Sequence, residues 1–100
     1  MRAKRERDAA ARLGRALSAS AAAAGCAVEL GDARSQPWAS ATFTGERVTL
    51  TWRVASGAEA WLAALPEAEL PLKGCFVAGL AVSVRENGTV SLEALVLWDA

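Results

Sequence analysis

The sequence predicts an α+β domain. An antiparallel sheet of four to five strands, made of two hairpins, carries two helices on one face, in the order α-(β)-β-β-α-β-β. Three observations predict it. The Ala-rich start places apolar residues at helical spacing. FTGERVTL at 43–50 and VRENGTVS at 84–91 each read as strand, tight turn, strand. Between them, Ser56-Gly57-Ala58-Glu59 has the S-x-x-E pattern that opens a helix.

The first helix is expected over residues 5–24. Ala is the best helix former, and no Pro interrupts the stretch. Ala10, Leu13, Leu17, Ala21 and Ala24 form a narrow stripe of small and medium side chains, so the helix should lie close to what it covers. Gly25 is placed to end it. Cys26 to Leu30 reads as a short strand, and GDARSQP at 31–37 as a loop.

For the first hairpin, Gly45-Glu46 reads as a two-residue type II′ turn. Phe43, Ala41 and Ala39 then face Val48, Leu50 and Trp52 on one apolar side. Arg53 meets Trp38 on the other side, in reach of a cation–π contact. The second helix is expected over 57–65, burying Trp61, Leu62 and Leu65. Pro66 and Pro71 bracket an extra turn after it.

The last hairpin is read with a three-residue loop, Glu86-Asn87-Gly88, with Gly88 left-handed. A two-residue Asn-Gly turn would mix polar and apolar residues on both faces. The three-residue loop sets Val84 against Val90, Val82 against Leu92, Leu80 against Ala94, Ala78 against Val96 and Phe76 against Trp98. The core expected from all elements is Leu13, Leu17, Phe43, Val48, Leu50, Trp52, Leu62, Leu65, Val82, Leu92 and Val96.

One feature exceeds what a half-buried sheet needs. Away from its turn, the last hairpin is apolar on its second face too, with Gly79 beside Leu95 and Val77 beside Leu97. That face calls for a cover, from the chain itself or from another copy. Val77, Gly79, Leu95 and Leu97 are therefore the candidate interface, and a homodimer the expected state.

Length and composition fit this size of fold. One hundred residues, 53% of them hydrophobic, make one domain with one core. Net charge is zero but uneven. Residues 1–15 carry six basic and two acidic side chains, or +4; the remainder carries five and nine, or −4. Arg2, Lys4, Arg5, Arg7, Arg12 and Arg15 are candidate anion contacts on this basic arm, although charge runs are usually solvated helix faces. Ala dominates and Arg outnumbers Lys, a bias expected of a GC-rich bacterial genome.

The sequence offers little for chemistry. There is no His, and Cys26 and Cys75 are far apart, so no metal or cofactor site is expected. Both cysteines read as small hydrophobes of a reducing, cytoplasmic setting. Glu67 and Glu69 read as solvated loop charges, and no Gly-rich phosphate loop is present. Hydroxyls are plentiful without a base to activate them, so no enzyme is expected. No run of 18 apolar residues reads as a membrane span. The Ala-rich start before Cys26 lacks the Leu-rich core of an export signal. An aromatic stacking pair of the RNA-recognition kind is missing from the polar sheet face, which argues against nucleic acid.

The element order resembles the core of the dimeric chaperones that serve bacterial type III secretion, without that family's last helix. The resemblance implies a dimer that binds protein. From the scarcity of catalytic groups and the extra apolar surface of the last hairpin, the expected function is a non-catalytic protein–protein interaction module that self-associates, with a secretion-chaperone-like dimer as what the element order alone implies. The alternative is a small-ligand or nucleic-acid binder using the basic N-terminal helix.

Overall fold

A computed structural model describes residues 8–54, 57–85 and 87–99. Its elements are α1 (Ala9–Ala23), β1 (Val28–Ala39), β2 (Thr44–Val54), α2 (Glu59–Ala64), a 3₁₀ turn (Leu65–Glu67), β3 (Cys75–Val84) and β4 (Thr89–Trp98). The four strands form one antiparallel sheet in the order β1-β2-β4-β3. The expected fold class and element order are those observed, with a sheet of four strands.

Capping explains where α1 starts and stops. The Asp8 carboxylate accepts the Ala11 N–H at 3.0 Å, satisfying one of the free amides of the first turn. At the other end Gly25 takes φ 78°. The Cys26 N–H then donates to Ala21 O at 2.8 Å and the Gly25 N–H to Ala22 O at 3.0 Å, the paired bonds of a Schellman ending. Ala9, Leu13, Gly14, Leu17 and Ala21 are buried. Ala24, expected in the stripe, is exposed because it already belongs to the ending. The close approach is real: a Cβ on Gly14 would lie 3.3 Å from Leu30 Cδ1.

The core lies between the helices and one face of the sheet. Leu13 and Leu17 meet Val48, Leu50, Trp52, Val90, Leu92 and Val96 in one buried cluster with Trp61, Leu62 and Leu65. Of the expected core, Phe43 is instead exposed and Val82 only half-buried. The Trp61 indole N–H donates to Ser20 Oγ at 2.9 Å, joining α2 to α1. Its ring stands 6.4 Å from that of Trp52. Helix α2 begins at Glu59 rather than 57, with Ala58 as its cap. Ser56, the expected cap, lies outside the described residues.

The first hairpin turns four residues earlier than expected. Ala39 pairs with Thr44, and the pairing runs back to Val28 with Val54. The expected loop 31–37 is therefore strand, continuous with the expected short strand, and Phe43 does not face Val48. Ser40 closes the loop. Its N–H donates to Phe43 O at 2.8 Å, and its hydroxyl oxygen accepts the Phe43 N–H at 3.1 Å and the Thr42 N–H at 3.3 Å. Moving the turn frees Gly45 to Arg47 to be strand, so β2 pairs β1 on one side and β4 on the other. Those added ladder bonds outweigh the polar composition of β1, whose side chains lie mostly in water. Arg53 faces Glu29 and Trp38 faces Gly45, so the expected cation–π pair is not formed.

The last hairpin has the expected register beside its turn; Glu86 of the expected loop lies outside the described residues. Gly88 has φ 85°, and the Arg85 N–H donates to Thr89 O at 2.8 Å. Val84, Val82 and Leu80 face Val90, Leu92 and Ala94 as expected. Beyond Gly79 the register shifts by one. Val77, not Ala78, faces Val96, and Phe76 faces Leu97, while Cys75 faces Trp98. Ala78 is the extra residue of a bulge, which exchanges the faces of everything before it.

Candidate interaction surface

The bulge decides which side chains occupy the sheet face opposite the helices. Val77, expected opposite Leu97, turns to the helix side and packs against the core. Phe76 takes its place beside Leu97. Gly79 remains opposite Leu95 on the far face, as expected. One row across this face therefore reads Trp38, Gly45, Leu97, Phe76; the next reads Gln36, Arg47, Leu95, Gly79.

Gly45 shapes the first row. A Cβ there would fall on the Val96 carbonyl oxygen and within 2.9 Å of Leu97 Cα, and Leu97 Cδ2 would be 2.8 Å away. The Leu97 side chain thus leans into the space that Gly45 leaves open. Leu97 is 6% exposed, yet it stands apart from the main buried cluster on the helix side. The far face carries a small second cluster of its own.

Phe43 and Phe76 sit at the surface of this cluster. Their rings meet edge to face, with centroids 6.2 Å apart and planes at 82°. That geometry is favoured by the ring quadrupoles. Each remains 41% exposed. The chain therefore covers Leu97 and leaves two phenylalanines in water. Neither was among the expected interface residues. Gly79 inside a strand was a signal of a bulge, and Ser40 ahead of Ala41-Thr42-Phe43 was a signal of a hydroxyl-closed turn.

The basic residues are placed separately. Arg2, Lys4, Arg5 and Arg7 lie outside the described residues. The Arg12 guanidinium donates to the Lys73 carbonyl at 2.6 Å and lies 5.4 Å from the centre of the Trp98 ring. It joins α1 to the start of β3. Arg15 is exposed and lines a groove of about 680 Å³ with Lys73, Ser20 and Glu69. Among the described residues, no three His, Cys, Asp or Glu side chains gather as a metal would require, and no helix is long and apolar enough to cross a membrane. Both cysteines are free thiols, Cys75 buried and Cys26 half-buried.

Comparison with protein-family models, with curated proteins and with solved structures gave no match.

Proposed function

We propose that this chain is a non-catalytic protein–protein interaction module that associates with a second copy of itself through its last hairpin, in the cytoplasm. The observation that supports this most is the far-face cluster. Phe43, Phe76, Leu95 and Leu97 are apolar on a face that the helices do not cover. A half-exposed aromatic pair rimmed by Arg47 and Gln36 has the build of a contact surface with an apolar centre and a polar edge.

Magnitudes bound what this face does alone. Burying a Phe side chain fully stabilises by about 1.5–3 kcal/mol. Covering what remains of four rings in a dimer contributes about 4 kcal/mol on that scale. The loss of free translation and rotation costs at least about as much. The dimer therefore needs contact beyond the rings.

The test is gel filtration of Phe76→Asp beside the native chain across a range of concentrations. The expected result is a native species that shifts toward larger size with concentration and a folded variant that shifts less. A native chain that elutes as a monomer throughout, or one that binds mixed DNA or RNA tightly and loses it steeply with salt, contradicts the reading.

A further inference from the structure

The two free edges of the sheet are built differently. Strand β1, VELGDARSQPWA, carries Glu29, Asp32, Arg34 and Pro37, and Gly31-Asp32 bulge opposite Thr51. Charges, proline and a bulge are the devices that keep a sheet edge from pairing. Strand β3, CFVAGLAVSV, carries no charge and no proline over ten residues. The 3₁₀ turn and the chain to Leu70 flank it from Phe76 to Leu80. Beyond Leu80 no backbone bond reaches the strand from outside the sheet among the described residues, and Val84 is 57% exposed.

The ladder identifies which backbone groups are free. Because the Arg85 N–H bonds to Thr89 O, Arg85 and Thr89 form a hydrogen-bonded pair, and such pairs alternate along an antiparallel ladder. Ser83 and Ala81 thus direct their backbone groups to β4. Leu80, Val82 and Val84 direct theirs outward, and no backbone bond to them comes from outside the sheet among the described residues.

We propose that the open half of β3 pairs antiparallel with the same strand of a second copy, about a two-fold axis at Val82. This rests on the reading of the chain as self-associating and names the β3 edge as a contact distinct from the far-face rings, which this pairing leaves uncovered. Val82 then faces its own copy, and Leu80 faces Val84 of the second copy, so the exposed Val84 is covered on the helix side. On the far face Ala81 meets Ser83, both small. An uncharged strand can lie opposite itself without setting like charges together. A β3-to-β1 contact would instead be head-to-tail and open-ended, and the charges and Pro37 of β1 oppose it. The pairing therefore closes at two copies, with one continuous sheet of eight strands.

Two measurements test it. Amide hydrogen exchange followed by NMR, at low and high protein concentration, reads the outward amides directly. The expected result is that Leu80, Val82 and Val84 amides slow by about tenfold or more as the dimer fills, while the outward amides of β1 do not change. The variant Val84→Pro removes an outward N–H at a position that gives β4 no bond. It is expected to stay folded and to weaken dimerisation at least about tenfold. A native chain that is monomeric at every concentration overturns the self-association reading itself. A dimer whose β3 amides exchange at the monomer rate overturns the edge and leaves the far face as the contact, whatever becomes of the proline variant.

Discussion

Gly45 and Gly79 are both strand glycines, and they hold opposite kinds of space. Around Gly45, the β4 backbone and the Leu97 side chain occupy the position of a Cβ; a Cβ on Gly79 would meet no atom of the other described residues within 4 Å. Gly45→Ala must push β4 away or displace Leu97, an overpacking that costs about 1–3 kcal/mol. Gly79→Ala meets no obstruction and restricts the unfolded chain, so it is neutral or stabilises by up to about 1 kcal/mol. Urea unfolding of the two variants checks this. Equal effects would mean that the far-face packing is not as described.

At the scale of elements, the caps and turns carry separate predictions. Asp8→Ala removes the N-cap of α1 and is expected to cost about 1 kcal/mol by the same unfolding measurement. Ser40→Ala removes the hydroxyl that closes the first turn and is expected to cost about 1 kcal/mol. A turn at Gly45-Glu46 would leave Ser40→Ala neutral, so this variant reports which residues turn the chain.

The two hairpins also show why one was legible in the sequence and the other was not. For the last hairpin, Asn87-Gly88 narrowed the choice to two loops that differ by one residue. A one-residue slip exchanges the faces, so the apolar pattern decided. For the first, the competing turns differ by an even slip, which leaves the side chains that stay in strand on their own faces and moves only those, like Phe43, that pass into the turn. Val48, Leu50 and Trp52 stay inward in either register, and alternation has no power to choose. The choice rests on Ser40 and on the pairing of Gly45 with Leu97, a contact between distant parts of the chain. The candidate surface was legible to the same degree. Leu95, Leu97 and Gly79 follow from alternation back from the turn. Phe76 lies past the bulge at Ala78, where counting by twos fails, and Phe43 lies in the turn that alternation misplaced.

For the whole molecule, the sheet is asymmetric in chemistry as well as in order. Its β1 edge carries charges, a proline and a bulge, while its β3 edge has no charge beside a cluster of half-exposed aromatics. Helix α1 is held across the other face by its apolar stripe and by Arg12 on the Lys73 carbonyl and Trp98. Strand β3 itself therefore brings no charge to a contact made through it. Salt should change association through the last hairpin only modestly, since an apolar and backbone-bonded contact has little charge to screen. A dimer that falls apart steeply with added salt would point to the basic N-terminal arm instead.

Sedimentation equilibrium at tens of micromolar tests the central claim, that this chain associates with its own copy, most directly. The account predicts a concentration-dependent mass that rises from the 10.4 kDa of one chain and levels at twice that value, closed at two by the blocked β1 edge. A single species at 10.4 kDa across the whole range would contradict it.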